Sequence, residues 1–322
     1  MELQQMRYVV AVAETANFTR AAERCRVVQS ALSHQIARLE RELGARLFDR
    51  TSRRVTLTPA GEAFLPAARQ ALDAAERARA EVAAASGELR GRLAIGAIPT
   101  VTAVDLPGAL KTFHVRHPQV RITLRVGASD ELAEQVRQGA LDIAFLGLPP
   151  SVRPKGVRGR ALARGELVAV VAPGHPLAAP LTDALAGLSA DPPTDPSAEA
   201  AGVDLHRLSE EVFVDFPAGT AARAQSDEAF AAAGVSREVA FEVTNADLMA
   251  RLVRLGLGIA MMPAAFAPEL PGVHVVELRD PPTRVEHLIW SRLRPSPAAA
   301  AFLAVLDIRA EGTDQGAIGG SS

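Results

Sequence analysis

Residues 18–36 read FTRAAERCRVVQSALSHQI, and the architecture of the N-terminal region turns on this stretch. An alanine-rich helical turn breaks and restarts, and the restart carries glutamine, serines and a histidine where an amphipathic helix normally shows charge. From near Val28 the apolar residues Val28, Leu32, Ile36, Leu39 and Leu43 step by four, four, three and four, so one helix face is expected to carry all five. At 100° per residue Ser30, His34, Ala37 and Arg41 fall on the opposite face, with Ser33 and Arg38 at its margins. Upstream, residues 3–13 predict a first helix. Asn17 and Thr19 offer caps for a second one ending at Cys25. Gly44 stops the third. LFDRTSRRVTLTP (residues 47–59) then reads as two short extended pieces around a basic turn, the pattern of a wing.

Thr58 and Pro59 supply an N-cap and a first-turn proline for a long helix. Running to about Ser86, it would span roughly 40 Å. Leu65, Ala68, Leu72, Ala75 and Val82 form a narrow stripe along it. Such a helix wants a partner, most simply its own copy. After Gly87 the texture becomes α/β. RLAIGAI, VRITLRV and LDIAFLG alternate with helical segments, a βαβαβ unit with parallel strands. ELVAVVA, VFVDF, EVAFEV and GIAMMP build a second unit, with helices over 221–234 and 246–256. VHVVEL, VEHLIWS and a helix from about Ser296 close the chain. The expected boundaries are a head at 1–58, a linker helix at 59–87, lobe I at 88–162 and 268–310, lobe II at 163–267, and a disordered tail at 311–322. The Pro-rich stretch near 183–209 is expected as a surface insertion without chemistry.

Composition excludes several classes. Of 322 residues, 48% are hydrophobic, too many for a disordered chain. No apolar run approaches the roughly 20 residues of a membrane span, and MELQQMRYVV lacks a leader's pattern, so the cytoplasm is the expected compartment, with no membrane contact. The single cysteine excludes an internal disulfide and a zinc site of several thiolates. Residues 1–60 hold ten arginines against six acidic residues, a net of +4, leaving −6 for the rest of a chain that totals −2. A basic head on an acidic body fits a nucleic-acid contact at one end. Enzyme motifs are poor. GLGIAM (256–261) follows a helix and lacks the third glycine of a dinucleotide fingerprint. No G-x-S-x-G and no P-loop occurs. His114 and His117 lie three apart with no further ligand nearby. No catalytic residue, metal or cofactor is expected.

These residues carry a likeness. FTRAAERCRVVQSALSHQIARLERELGARLFDRTSRRVTLTPAG resembles the winged helix-turn-helix of LysR-type transcriptional regulators. The likeness continues through GAIPT, LPGALKTFHVRHPQVRITLRVG, LVAVVAPGHPLA, FVDFPAGTAARAQSDEAFAAAG and GLGIAMMP, about 310 residues in order. Cys25, where the pattern usually shows an apolar residue, and the long Pro-rich insertion depart from it. The fold it implies is α/β with an N-terminal winged helix-turn-helix, a long linker helix and a two-lobed effector domain like a periplasmic binding protein. It also implies a dimer of dimers on double-stranded DNA and allows RNA polymerase as a further partner.

Ser30, Ser33 and His34, with Arg38, sit where a helix in the major groove reads base edges. Gln29 joins them on the strength of the resemblance. Arg50, Arg53 and Arg54 surround the wing turn and suit phosphates or a narrow minor groove. In open parallel sheets ligands lie beyond the strands' carboxyl ends, which nominates Thr100, Val101, Ser129, Leu148, Phe216, Pro217, Gly219, Thr220 and Thr244. Thr100, Ser129 and Thr244 serve equally as helix caps. No arginine or lysine lies in those segments, so the expected effector is a small organic acid held by backbone N–H groups and hydroxyls. Cys25 reads as a small apolar residue. Two rivals fare worse: an enzyme with an accessory head lacks convergent acid/base groups, and a transport binding protein would need a secretion leader and no basic head.

Overall fold

The computed structural model describes residues 1–50, 55–85, 89–178, 202–292 and 294–308. The head opens with α1 (Leu3–Thr15), α2 (Phe18–Cys25) and α3 (Gln29–Leu43). Asn17 caps α2 by accepting from the Arg20 amide, and Gly44 ends α3 in the left-handed region at φ +66°. Of the five residues expected on the buried face of α3, Leu32, Ile36 and Leu39 are fully buried, whereas Val28 and Leu43 are exposed. Val28 is the extended N-cap and Leu43 the last helical residue, so neither shares the core. Burying the central three contributes about 1.5–3 kcal/mol each. They pack on Tyr8, Val9 and Val12 of α1 and Phe18 of α2.

Strands β1 (Phe48–Arg50) and β2 (Val55–Leu57) pair antiparallel, Phe48 opposite Leu57. Thr58 then locks the next helix to the wing base. Its hydroxyl donates to the Arg46 carbonyl at 2.6 Å and accepts from the Gly61 amide at 3.0 Å. A Cβ at Gly61 would lie 2.1 Å from the Leu47 carbonyl oxygen, so this turn admits only glycine. Helix α4 (Pro59–Ala85) packs on α1. The head itself covers part of the expected stripe: Ala68 is fully buried, while Val82 is 71% exposed.

The body holds a seven-stranded sheet whose two halves share one long strand, and a separate two-stranded sheet. In lobe I, β3 (Gly91–Ala97) pairs parallel with β4 (Val120–Val126) and with β5 (Ile143–Leu148). Helices α5 (Leu106–Arg116) and α6 (Ser129–Arg137) make the crossovers, as the βαβαβ reading expects. Strand β6 (Arg158–Val171) runs through both lobes without a break. Lobe II adds α7 (Leu205–Leu208), β7 (Val212–Asp215), α8 (Ala221–Ala232), β8 (Glu238–Glu242), α9 (Ala246–Arg254), β9 (Ala260–Pro263) and β10 (His274–Val276). β7 and β8 are parallel, and β9 and β10 flank the far half of β6. Strand β11 (Thr283–Trp290) returns to lobe I between β5 and β6, and α10 (Pro297–Val305) covers the β3 side.

Residues 268–282, expected in lobe I, belong with lobe II. His274–Val276 pair with Ala169–Val171, so the return crossing lies at 279–283 rather than at the expected 267–268 boundary. The apolar string VHVVEL gives no hint of which half of β6 it joins. Each lobe has its own core, around Phe113, Phe145 and Phe302 in lobe I and Phe213 and Phe230 in lobe II. At the middle of β6 the pairing with β11 slips by one residue between Glu286 and His287, a β-bulge. Of the expected surface insertion near 183–209, residues 183–201 lie outside the described residues, as does the 311–322 tail, whereas Leu208 near its end is buried in the lobe II core.

Candidate nucleic-acid interface and ligand cleft

On α3 the buried step Leu32–Ile36–Leu39 leaves the opposite side to solvent. Gln29, Ser30, His34 and Arg38 are exposed and Ser33 is half-buried. Ser30, His34 and Arg38 follow a strict four-residue step, so they line up along one edge of the helix. Gln29 is its first residue, beside Val28, which has no capping side chain. The glutamine, serines and imidazole therefore sit on the turns that would enter a groove first. Glu40 braces the wing against this helix, accepting from the amides of Leu47 at 2.8 Å and Phe48 at 3.4 Å. Arg50 ends β1. Arg53 and Arg54 lie outside the described residues, as does the Arg50 side chain. Cys25 ends α2 half-buried, and burial raises its thiol pKa, an environment for an inert thiol rather than a reactive thiolate.

The cleft is built differently from the expectation. Thr100 was to stand at a helix start, yet α5 begins at Leu106 with Asp105 as its cap. Thr100 is buried instead, accepting at its hydroxyl from Arg284 Nη1 at 2.8 Å and at its carbonyl from Nη2 at 2.6 Å. Ser129 is likewise buried. Its hydroxyl donates to the Gly147 carbonyl at 3.0 Å and accepts from the Gly147 amide at 3.1 Å. Thr220 does cap α8, accepting from the Arg223 amide at 3.3 Å and donating to the Pro217 carbonyl at 2.8 Å. Thr244 is exposed, and Asn245 rather than Thr244 caps α9. Val101 is half-buried against both lobe I clusters, and Phe216 against the lobe II core.

Leu148, Gly219 and Thr220 do converge. With Pro149, Val152 and Asp130 they line a cavity of about 370 Å³ between the lobes, within the range of small-molecule sites. Asp130 is exposed and Leu148 buried. Lobe II reaches across through α8: Gln225, nearly fully buried, donates from Nε2 to the Gly147 carbonyl at 3.1 Å, and Ala221 packs into a lobe I apolar cluster.

A buried ion pair went unanticipated. Arg284 and Glu286 are each 4% exposed, and Arg284 Nη2 donates to Glu286 Oε1 at 2.5 Å. The Glu286 carboxylate also accepts from the Thr102 amide at 3.1–3.2 Å, the Thr102 hydroxyl at 2.5 Å and the Ala103 amide at 3.0 Å. Burial lowers the Arg284 pKa, and Glu286 opposes that shift. The loop after β3 thus forms a carboxylate cradle, filled by the chain's own glutamate. Its donors stand up to 184 residues from Glu286, so no local segment could reveal it. The one cue was TRVEHLIW, where opposite charges at i and i+2 share a face of an otherwise apolar strand. Among the described residues no cluster of three metal-ligating side chains occurs and no helix is long and apolar enough to cross a membrane.

Comparison with known proteins agrees with this geometry. Residues 3–62 match the bacterial regulatory helix-turn-helix protein, lysR family, and residues 86–310 match the LysR substrate binding domain. The HTH-type transcriptional regulator ShiR of Corynebacterium glutamicum (strain R) is 35% identical over 265 residues, 81% of this chain and 82% of that protein. A full-length OxyR variant from Pseudomonas aeruginosa superposes with a TM-score of 0.70 at 25% identity, covering 95% of this chain and 94% of the other. Full-length CbnR complexed with its target DNA superposes at 0.62 and 25% identity, covering 95% and 99%. Exposed polar groups on α3, a wing, a linker helix and a two-lobed body occur here in one chain and in that order, and the chain belongs to the LysR-type transcriptional regulators: a non-enzymatic, DNA-binding head joined to an effector-binding body.

Proposed function

We propose that this regulator reads its operator with Gln29, Ser30, Ser33, His34 and Arg38 in the major groove and Arg50, Arg53 and Arg54 on the backbone or minor groove, and that a small organic acid between the lobes resets this contact. The carboxylate cradle carries the second half of the reading. Arg284, Thr102 and the Ala103 amide already hold one buried carboxylate, so the same donors suit an incoming one. An effector acid competes with Glu286, its apolar part extending toward Val101, Leu148 and Phe216, with Ser129, Pro217, Gly219, Thr220 and Thr244 framing the cleft.

The protein acts in the cytoplasm as a homo-oligomer, a dimer of dimers, with RNA polymerase as a further partner. Exposed apolar residues at the two ends of the body support association: Val115, Leu124 and Val126 on lobe I, Phe241, Leu248 and Leu255 on lobe II. Arg121 and Arg125 on edge strand β4 face outward, as do Glu238 and Glu242 on β8, so two copies packed head to tail pair unlike charges.

Calorimetry on the full chain with small mono- and dicarboxylic acids, set against matched alcohols and amines, tests the ligand class. Acids should bind, and Glu286→Gln should tighten them by removing the competing charge. Binding confined to amines would overturn the acid reading. Footprinting on DNA upstream of the chain's own gene tests the head.

A further inference from the structure

Helix α6 touches the cleft at one end and the linker at the other. At its start, Ser129 is bonded in both directions to Gly147, whose carbonyl also accepts from Gln225 of lobe II. The helix then runs nine residues, roughly 13 Å. At its far end the Arg137 carbonyl accepts from Gln70 Nε2 at 3.3 Å, and Gln138 Oε1 accepts from Arg69 Nη1 at 3.3 Å. Both donors belong to α4. Arg69 Nη2 also lies 3.6 Å from Glu14 of α1, so one guanidinium bridges head and lobe I. Arg92 of β3 adds a bond to the Gly139 carbonyl at 3.3 Å and approaches Asp73 of α4 at 3.8 Å.

We propose that α6 is the strut that couples the cleft to the DNA-reading head, with Arg69 and Gln70 as the positioning residues at its far end. The sequence of contacts is continuous from Gln225 through Gly147, Ser129 and α6 to Gln70, Arg69 and Glu14. Three features make this a coupling element rather than a passive contact. The C-terminal end of a helix carries partial negative charge, and Arg69 and Arg92 complement it, so the attachment is polar and directional. Gln225 of lobe II is hydrogen-bonded onto Gly147, so moving the lobes apart loads the near end of this strut. Beside the far end lies a cavity of about 780 Å³ lined by residues including Arg7, Glu14, Leu72 and Gln138, which gives linker and lobe I room to change their separation without a clash. Spatial continuity alone does not demonstrate coupling; an observable at the far end does.

The inference rests on the proposed gating of the head by the cleft, and its test needs neither effector nor DNA. Amide hydrogen exchange is measured on the full chain for the parent, Gln225→Ala and Ser129→Ala in the cleft, Gln70→Ala at the far end, and the doubles. Gln135→Ala, on the same helix but with its side chain bonded to Arg125 and Glu131 rather than to the linker, serves as control. Either cleft variant should speed exchange in residues 66–74 of the linker by about threefold or more, and prior removal of the Gln70 contact should abolish that increment. The control should leave the linker unchanged. Linker exchange equal to the parent's in both folded cleft variants, or an increment that survives Gln70→Ala, overturns the strut. Gln70 is exposed, so its variant folds, and Ser129→Ala stands in should Gln225→Ala unfold. A strut that conducts while DNA affinity stays constant would instead remove the gating reading and leave the coupling intact.

Discussion

The outer face of α3 and the floor of the cleft are both polar, and they treat their polar groups in opposite ways. On α3 the apolar side is buried and Ser30, His34 and Arg38 point to solvent, free to meet a partner as large as a duplex. Around the cleft Thr100, Ser129, Gln225, Arg284 and Glu286 are all buried and bonded to one another or to backbone. A surface that meets a macromolecule keeps its donors outside. A cleft that closes on a small molecule must satisfy its donors internally while it waits, because an unpaired buried polar group costs about 1–3 kcal/mol. Substitutions should therefore act on recognition in one region and on stability in the other.

The largest effect is expected from Arg284→Ala. It strands Glu286 as a buried charge and removes both bonds to Thr100, and breaking such a pair costs about 3–5 kcal/mol. Arg38→Ala on the exposed helix should change stability by less than about 0.5 kcal/mol. Denaturant unfolding of the full chain compares them, and equal midpoints would erase the distinction. Thr100→Val comes next. It leaves Arg284 Nη1 without an acceptor, so stability should fall by about 1–3 kcal/mol even with no effector present. A variant as stable as the parent would mean that the threonine hydroxyl faces the ligand after all.

On the head the currency changes. His34→Ala should relax base preference by about 1–3 kcal/mol at the contacted position. Arg53→Ala on the wing should weaken all duplexes alike and lower the salt slope by about one. Binding titrations on operator and scrambled duplexes at several salt concentrations separate the two, and identical losses in both would show that α3 does not read bases. The smallest effect belongs to Cys25→Ser, about 1 kcal/mol for a hydroxyl in a half-buried apolar site. DNA binding should stay insensitive to peroxide in parent and variant, and a peroxide response lost in the variant would refute that role.

The same contrast explains what the sequence disclosed. Leu32, Ile36 and Leu39 announce their helix because burial on a helix obeys a local period, and the residues opposite follow from the same arithmetic. Asn17, Thr58 and Gly44 announce boundaries because caps depend on their nearest neighbours. The periodicity failed only at Val28 and Leu43, where the helix stops and the period with it. The parallel unit at β3–β5 was legible for the same local reason. Arg284, Glu286 and Gln225 were not, because each acquires its role from a partner far along the chain. Ser129 and Thr100 were legible as candidates, but nothing local shows that Gly147 and Arg284 bond to them. Which half of β6 receives β10 is a matter of strand order, and strand order is not written in either strand.

Strand β6 has a mechanical consequence. A hinge made of loops lets two bodies swing through wide arcs with little memory of their starting angle. Here fourteen residues of continuous strand cross from one lobe to the other, paired with β11 over residues 158–166 and flanked by β9 and β10 over 167–171, with a bulge opposite Glu286 and His287. Such an element resists bending and yields chiefly by twisting, and bulges are where strands take up extra twist. The body is therefore sprung rather than jointed. A ligand held between the lobes would wind it through a small angle against a restoring torque, and on release it would unwind to the same angle. A head carried on such a spring would report occupancy as a rotation along the double helix, where a few degrees decide whether a side chain meets a base edge or a phosphate.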